Sequence, residues 1–257
     1  MYKENRRFQR TEALLGSEAM NKLQNSCVMV VGLGAVGGYA LEALARSGIC
    51  KLILVDFDIV EESNINRQIL ALSSTIGKSK TAIAKERVLQ INPDCLVETK
   101  ETFVNADTLD SLLQYEPDMV VDAIDALNPK CCLIEELYKR EIPFISSMGA
   151  ALKTNPACIK FAKLSNSKNC SLARFIRKRL KKRGVDISQI DCVFSDEQTE
   201  LSENAIFRDE ESTNTEISAG QRGRIRNTLG SLPTITAIFG LTIANQVILK
   251  LSRKQEN

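Results

Sequence analysis

Three glycines and one acidic residue are spaced as nucleotide-binding proteins space them. Gly32, Gly34 and Gly37 lie where the apolar run 27–34 ends. The backbone amides of such a turn, together with the N-terminus of the helix that follows, can face phosphate oxygens. Asp56 ends the next apolar run, at the distance where a carboxylate accepts hydrogen bonds from ribose hydroxyls. The spacing predicts a nucleotide site, and a nicotinamide-dinucleotide protein is the first alternative.

A set of polar and cationic side chains favours a different nucleotide. It comprises Ser63, Asn64, Asn66, Arg67, Gln68 and Lys80. Hydride transfer has no evident use for Arg67 and Lys80, but they suit the negative charge that develops when an α-phosphate is attacked and pyrophosphate leaves. Asp125, at the end of a later strand, is placed to hold Mg²⁺ against the phosphates. The pattern predicts ATP and Mg²⁺, although Asp125 could instead cap a helix, and Asn64 and Gln68 could cap their loop.

The first part of the chain alternates between apolar runs typical of buried strands and segments with helical spacing. Strands are predicted at 27–34, 51–58, 95–101, 118–125 and 143–149, and helices at 35–48, 77–93, 106–115 and 129–142. This alternation predicts an α/β protein with a Rossmann-like, doubly wound, mostly parallel sheet. In such sheets ligands bind at the carboxyl ends of the strands, so Asp58 and Asp122 at strand ends are also candidates, interpreted here as structural acceptors.

The second part of the chain is less regular. We expect one domain over 1–257, with a nucleotide-binding half over about 1–150 and an irregular substrate-, RNA-binding and dimer half over about 151–257. The latter contains predicted strands at 158–164 and 192–195, a basic helix at 170–184 and a mobile polar loop over about 196–227. The apolar run 232–251 approaches membrane-spanning length, but polar residues interrupt it. It therefore predicts a buried core or interface helix and no membrane association.

Composition excludes several kinds of chemistry. The 257 residues carry a formal net charge of +2 and include no histidine, so a histidine-dependent triad or general base is excluded. The eight cysteines form no C-x-x-C pair, which argues against a structural zinc site of the usual spacing. The N-terminus lacks the apolar core of a signal peptide, so a cytoplasmic protein with reduced thiols is expected. Cys170 and Cys192 could carry a thioester or persulfide, or could simply be buried thiols.

Several of these motifs, in this order, resemble the ThiF-type, ubiquitin-activating-like adenylyltransferases. They are GLGAVG at 32–37, VDFDIVEESNINRQ at 55–68, GKSK at 77–80 and VVDAID at 120–125. The resemblance implies that the Ala35 backbone, Asp56, the segment 63–67, Lys80 and Asp125 contact ATP or Mg²⁺, with Arg67, Lys80 and Asp125 catalytic. It also implies a homodimer, in which Arg10 of the segment RRFQR completes the partner subunit's site.

Further stretches are similar to one branch of that family, the tRNA threonylcarbamoyladenosine dehydratases. They include DAIDALNPK at 122–130, LARFIRKRLKKRGV at 172–185 and VFSDE at 193–197. This resemblance implies adenylation of a threonyl carboxylate in tRNA, followed by ring closure with release of AMP, and a possible sulfur-relay partner. The chain departs from the branch at Cys170 and Ser171, where an Asp-Pro pair is expected. Adenylation of the C-terminal glycine of a ubiquitin-like or sulfur-carrier protein is the second hypothesis, and a catalytically silent scaffold the third.

The basic helix is the predicted RNA-binding surface. Its cations are Arg174, Arg177, Lys178, Lys181 and Lys182, opposite a predicted apolar stripe of Leu172, Phe175, Ile176 and Leu180. Cations that neutralise phosphates would make RNA binding strongly salt-dependent. The segment QRGRIR at 221–226 adds three more cations. The alternative is an amphipathic surface that is merely solvated.

Overall fold

A computed structural model describes residues 6–198, 206–207 and 228–253. Seven strands form one sheet in this structure. The strands are β1 Cys27–Val31, β2 Lys51–Val55, β3 Leu96–Lys100, β4 Met119–Asp122, β5 Phe144–Ser147, β6 Ile159–Lys163 and β7 Asp191–Ser195. Their order is β3-β2-β1-β4-β5-β7-β6. All neighbours are parallel except β6, which pairs antiparallel with β7. The predicted mostly parallel α/β sheet is confirmed, and its chain order reverses between β1 and β4, where such folds bind ligands.

Helices cover both faces of the sheet. They are α1 Gln9–Leu15, α2 Ser17–Asn25, α3 Gly37–Arg46, α4 Lys80–Ile91, α5 Ala106–Leu113, α6 Leu127–Lys139, α7 Ser171–Lys182 and α8 Pro233–Ser252. Each helix predicted from the sequence is present, with ends that differ by a few residues. On one face, α2, α3, α4 and α8 enclose an apolar core, and on the other face α5, α6 and α7 enclose two more clusters.

The central strand β1 is apolar throughout because both of its faces are covered. Val28 and Val30 pack into the core beneath α3 and α8, whereas Met29 and Val31 pack on the face of α5 and α6. Alternate side chains of a strand point to opposite faces, so a strand covered on both sides reads as a continuous apolar run. Each such side chain contributes roughly 1.5–3 kcal/mol when it is fully buried.

The second part of the chain extends the same sheet. Strand β7 pairs in parallel with β5, and α7 packs against α6, so the two predicted halves share one framework. Of the predicted mobile loop 196–227, most lies outside the described residues, and so does the cationic segment 221–226. Strand β8 Ile206–Phe207 lies within this loop and pairs antiparallel with β9 Thr228–Leu229, which follows the loop.

Helix α8 lies close against α3. Its residues Ile235, Phe239 and Ile243 are fully buried in the core, and a Cβ at Gly240 would lie 2.3 Å from the carbonyl oxygen of Val36. Only glycine therefore permits this approach of the two helices. Among the described residues, α8 is the single helix long and apolar enough to cross a membrane by length and composition. Its buried face agrees with the prediction of a core helix.

Candidate functional site

The glycine-rich turn between β1 and α3 has no room for side chains. Gly32 has a φ of +89°, and a Cβ there would lie 2.9 Å from the carbonyl oxygen of Ala123. A Cβ at Gly37 would lie 1.7 Å from the carbonyl oxygen of Gly32. Gly34 and Ala35 between them are half-exposed, and no side chain caps the start of α3. The turn thus presents backbone and a helix N-terminus, which is the arrangement that binds phosphate.

Asp56 is buried at the end of β2 and supports this turn. Its Oδ2 accepts a hydrogen bond from the backbone N–H of Leu33 at 2.6 Å, and its Oδ1 accepts one from Asp58 at 2.9 Å. Burial raises the pKa of Asp56, although the nearby Lys80 ammonium and these two N–H groups oppose the rise. A carboxylate has about four acceptor positions. Asp56 can therefore fix the turn and still accept hydrogen bonds from ribose hydroxyls.

Lys80 is the first residue of α4 and lies against the segment that follows β2. Its side chain is buried, its Nζ lies 2.9 Å from Asp58 Oδ2, and its backbone N–H donates to the Asp58 carbonyl oxygen. The N-cap residue Ser79 accepts a hydrogen bond from Ala82, and its hydroxyl donates to Glu101 at 2.6 Å. These contacts bring a fixed ammonium to the same edge of the sheet as Asp56. They also give Asp58 the structural acceptor role expected for it.

The loop after β2 contains a short 3-10 helix at Glu62–Asn64 and orients Arg67. Asn64 is buried, and its Oδ1 accepts from the Glu61 backbone N–H at 3.3 Å in a capping box. The guanidinium of Arg67 donates to the Ser63 carbonyl oxygen at 2.9 Å and to Asn66 Oδ1 at 2.8 Å. Asn64 thus caps its loop, which was one of the two interpretations of its sequence position. Ser63 and Asn66 hold the arginine.

Gln68 carries an unsatisfied acceptor next to the phosphate-binding turn. Its Nε2 is the nearest atom to a Cβ built at Gly34, at 3.9 Å, and the side chain is buried. Its Oε1 has no hydrogen-bond partner among the described residues. A buried carbonyl oxygen without a donor costs about 1–3 kcal/mol. A donor from a bound nucleotide would remove that cost, so the residues at this edge fit a nucleotide.

Asp125 lies in the turn between β4 and α6. Its side chain is exposed, and the N-cap of α6 is Ala126, with no side-chain capping hydrogen bond. The alternative that Asp125 caps this helix is therefore wrong. The turn touches the glycine-rich turn, because Ala123 is the nearest neighbour of a Cβ at Gly32. The strand order places this turn next to the end of β1, with the end of β2 one strand further away.

Beneath this turn lies a buried ion pair that sequence reasoning missed. Lys130, in the first turn of α6, lies 2.9 Å from Asp122, and both side chains are 0% exposed. Asp122 also accepts from the Ser146 hydroxyl at 2.6 Å, which agrees with its predicted structural role. Nothing in the sequence distinguishes Lys130 from an ordinary surface lysine at the start of a helix.

The basic helix α7 differs in detail from the prediction. Its buried residues are Ala173, Ile176 and Leu180, whereas Phe175, predicted to lie in the apolar stripe, is 49% exposed. The Arg174 guanidinium lies 5.1 Å from the centre of the Phe175 ring. The other cations fall into two groups: Lys178, Lys181 and Lys182 are exposed, while Arg177 is half-buried and donates to the Ser167 carbonyl oxygen at 2.8 Å.

The two cysteines considered as reactive are buried. Burial raises the pKa of Cys192 to about 12, so its thiolate is negligible near neutrality. Cys170 is the N-cap of α7, where its Sγ accepts from the Ala173 N–H at 3.4 Å. This position explains why an Asp-Pro pair is expected there, because Asp is a preferred N-cap and Pro a preferred first helical residue.

Arg10 lies apart from the residues described above. It is exposed on α1, whose neighbours include α2 and the preceding 3-10 turn. The structure of one chain therefore does not bring Arg10 to the edge that holds Asp56 and Lys80. Its assignment to a partner subunit's site stays a prediction.

The glycine-rich turn, the buried Asp56 carboxylate and the nearby Lys80 ammonium are features of a nucleotide-binding protein of the doubly wound α/β class. The model of the ThiF family matches residues 7–257, and the chain belongs to this family. It is 35% identical over 249 residues to the tRNA threonylcarbamoyladenosine dehydratase of Bacillus subtilis (strain 168), covering 97% of this chain and 96% of that protein. It is 33% identical over 258 residues to the Escherichia coli (strain K12) protein of the same name, covering 96% and 94%.

Solved structures give the same result for the fold. Crystal structures of the E. coli tRNA N6-threonylcarbamoyladenosine dehydratase in complex with AMP and with ATP each superimpose with a TM-score of 0.83 at 32% identity. Each comparison covers 95% of this chain and 93% of the other. The family and fold predicted from the motifs are therefore confirmed.

Proposed function

We propose that this protein is an ATP-dependent tRNA threonylcarbamoyladenosine dehydratase. It adenylates the threonyl carboxylate of N6-threonylcarbamoyladenosine in tRNA and promotes its cyclisation, with release of AMP and pyrophosphate. The observation that carries the proposal is the glycine-rich turn held by the buried Asp56, with the Lys80 ammonium close enough to act on the Asp56 carboxyl. It is supported by similarity to dehydratases of this name along almost the whole chain. We also propose that the protein works in the cytoplasm.

The chain's own residues bind and orient the nucleotide in this proposal. The backbone from Gly32 to Gly37 receives phosphate oxygens, and Asp56 receives ribose hydroxyls. Lys80 and Arg67 stabilise the charge that grows on the phosphates as the α-phosphorus is attacked. Both cations are held in place before the nucleotide arrives, Lys80 by Asp58 and Arg67 by Ser63. Such preorganisation is the largest contribution that this kind of site makes to catalysis.

Asp125 is the proposed Mg²⁺ ligand. The described residues contain no group of three or more His, Cys, Asp or Glu side chains that could hold a metal ion. Mg²⁺ does not need such a group, because it is commonly held by one or two carboxylates together with substrate phosphates and water. The exposed carboxylate of Asp125 beside the phosphate-binding turn fits this pattern. When bound, the ion would neutralise charge on the phosphates and on the departing pyrophosphate.

The reaction needs no side-chain nucleophile. A threonyl carboxylate oxygen attacks the α-phosphorus, the bond to the β-phosphate oxygen breaks, and pyrophosphate leaves. The carbamoyl group of the same nucleoside then attacks the activated carbonyl carbon, closes a five-membered ring and expels AMP. Ring closure is intramolecular, with effective molarities that reach ~10⁵–10⁸ M for well-placed groups. A chain without histidine, whose Cys192 thiol is protonated at neutral pH, can therefore support it.

Helix α7 is the proposed tRNA-binding surface. We define the α7 face as the exposed residues Arg174, Phe175, Lys178, Lys181 and Lys182. Its four cations would neutralise backbone phosphates, and its exposed aromatic ring would stack on an unpaired base, as happens in RNA loops. Arg177 contributes less directly, because its guanidinium is engaged by Ser167.

A homodimer is the proposed assembly. Helix α8 exposes Leu241 at 45%, whereas Ile235, Phe239 and Ile243 on another side of the helix are fully buried. The proposed dimer interface contains this exposed side of α8. In the dimer, Arg10 of one subunit would complete the nucleotide site of the other subunit. Within one chain, no described contact brings Arg10 to that site.

ATP–pyrophosphate exchange tests the proposed function. We expect exchange that depends on tRNA carrying threonylcarbamoyladenosine and that falls below detection in Asp125→Asn. Unmodified tRNA is the matched control substrate and should drive no exchange. Exchange driven instead by a carrier protein that ends in two glycines would overturn the proposal in favour of carrier activation.

A further inference from the structure

Lys130 is among the largest fully buried side chains of the described residues. Its Nζ lies 2.9 Å from Asp122 Oδ2, and neither side chain has any exposed surface. Removing two charges from water costs several kcal/mol each, and apolar side chains of similar volume are often as stable in such a place. Burial of this pair is therefore not explained by stability alone.

The pair fastens the turn that joins β4 to α6 at two points. The Lys130 ammonium donates to the Ile124 carbonyl oxygen at 2.9 Å and to the Asp122 carbonyl oxygen at 3.4 Å. Asp122 Oδ1 accepts from the Ile124 backbone N–H at 3.2 Å, and its Oδ2 accepts from the Ser146 hydroxyl at 2.6 Å. Both polar groups of the Ile124 backbone are thus bound by the ion pair. The side chains that fix this turn come from β4, β5 and α6.

This turn carries two parts of the nucleotide site. Asp125, the proposed metal ligand, follows Ile124 directly, and its own side chain is exposed at the surface. The Ala123 carbonyl oxygen, before Ile124, packs against Gly32 of the phosphate-binding turn. Displacement of the Ile124 backbone would therefore move a carboxylate ligand and the floor of the phosphate site together.

We propose that Lys130 is a positioning residue, which acts through the 123–126 turn to fix the place of Asp125 and the packing of the glycine-rich turn. It does not touch the nucleotide. The inference rests on the proposed function for the role of Asp125, but the control of the turn itself does not depend on which acid is adenylated. A misplacement of about 1 Å in such a site can lower the rate about 100-fold.

The test uses the full-length protein with Asp122→Asn and Lys130→Met combined. Lys130→Met alone leaves a buried carboxylate without a partner and can prevent folding, whereas the double variant removes both charges and keeps a hydrogen-bond acceptor for Ser146. We expect an unfolding midpoint within a few degrees of the unchanged protein, because neutral replacements of buried pairs are tolerated. Hydrogen–deuterium exchange of the amides at 124–126 should be about tenfold faster or more, because the Ile124 N–H and carbonyl lose the partners that the ion pair supplied.

Two functional readouts accompany the exchange measurement. The Mg²⁺ concentration for half-maximal ATP–pyrophosphate exchange should rise about tenfold or more, and kcat should fall by at least the same factor. Asp191→Asn is the control, because it removes a carboxylate that bridges Lys163 and Lys250 elsewhere in the sheet. The control should leave the Mg²⁺ dependence unchanged.

The outcomes separate positioning from mere structure. Unchanged deuterium exchange at 124–126 in the double variant, or faster exchange with an unchanged Mg²⁺ dependence, would overturn the proposal. Equal kinetic losses in Asp191→Asn would also overturn it, since they would indicate a general loss of stability. If the unchanged protein shows no ATP–pyrophosphate exchange with modified tRNA, the proposed function fails. The deuterium measurement then still decides whether Lys130 controls the turn, because it needs no substrate.

Discussion

The Lys80 ammonium lies 2.9 Å from the Asp58 carboxylate, and the two side chains differ in exposure, at 6% and 47%. The lysine is therefore anchored in the protein while its partner faces solvent. A polyphosphate that reaches this edge of the sheet would compete with Asp58 for the same ammonium. In the proposed function, Asp58 would hold the ammonium in position until the nucleotide binds and would then give up this contact to a phosphate.

Substitutions at this pair should have unequal effects. Lys80→Gln should lower kcat for ATP–pyrophosphate exchange about 10²–10³-fold, the usual loss when one donor to developing charge is removed. Asp58→Asn should stay within about fivefold of the unchanged protein, because a half-exposed ion pair contributes at most about 1 kcal/mol. Steady-state exchange kinetics measure both. Equal losses in the two variants would show that Asp58 has a direct role in catalysis.

The sequence predicted the framework of the site because that framework is local. Apolar runs and helical spacing identified each strand of the sheet and the helices α3 to α8, but not α1 and α2. The glycines identified the phosphate-binding turn. Since parallel strands all end at one edge, the ends at Asp56 and Asp125 could be expected to meet. None of these steps required knowledge of a particular side-chain contact.

The remaining features depend on tertiary contacts that leave no pattern in the sequence. Lys130 is a lysine near a helix start, and only the packing of α6 over β4 buries it. Phe175 follows Leu172 at helical spacing, yet it is exposed because the buried side of α7 is narrow. In the sequence, Arg177 does not differ from the other cations of α7. Only the folded chain places the Ser167 carbonyl oxygen beside its guanidinium.

The α7 face should respond to substitution in two distinct ways. Lys178→Gln with Lys182→Gln should weaken tRNA binding and reduce the slope of log affinity against log salt by about 2, roughly one for each phosphate that is no longer neutralised. Phe175→Ala should weaken binding about 5- to 150-fold with an unchanged slope, because stacking of a base is worth about 1–3 kcal/mol and involves no ion release. Binding titrations at several salt concentrations measure both quantities.

Lys22→Gln on α2 is the control for the loss of a surface cation and should leave both quantities unchanged. Affinity for ATP should be the same in all of these variants, since the α7 face is separate from the nucleotide edge. Unaltered tRNA affinity in both α7 variants would show that this helix is only a solvated surface.

The start of α7 should be open to stabilisation. Cys170 caps it through a thiol, which is a weak acceptor, at 3.4 Å from the Ala173 nitrogen. Cys170→Asp with Ser171→Pro should raise the free energy of unfolding by about 1 kcal/mol, because a carboxylate cap and a proline at the first helical position are both favoured. Urea unfolding measures the change. Cys170→Ala removes the cap and should be less stable than the unchanged protein. A destabilised double variant would contradict the interpretation of Cys170 as a weak N-cap.

Acid stability should depend on Asp191. Burial alone raises the pKa of this carboxyl, but hydrogen bonds from Lys163 and Lys250 outweigh burial and hold the pKa below its ordinary value. A depressed pKa stabilises the folded state above the unfolded value of about 3.9, and this stability is lost as the pH falls through the folded pKa. Asp191→Asn should therefore be less stable at pH 7 by about 1 kcal/mol, since these pairs are partly solvent-screened. The difference should shrink below about pH 4 in thermal unfolding, and a gap that is constant with pH would contradict the prediction.

The outer side of α8 should determine assembly. Thr234, Ile238, Leu241 and Asn245 follow one another at helical spacing, and Thr234, Leu241 and Asn245 are exposed. Leu241 is 45% exposed at the middle of this row, and a charge there would be desolvated in a symmetric interface, where it would face its own copy. Leu241→Glu should convert a dimer to a monomer in light scattering and leave the fold intact, as judged by circular dichroism. Leu96→Glu makes the same change at an exposed site on β3 and should leave the dimer unchanged.

If Arg10 acts across the interface, the monomer should also lose ATP–pyrophosphate exchange, and mixing it with an Arg10→Ala dimer should not restore the activity. A Leu241→Glu protein that remains dimeric would place the interface elsewhere on the surface.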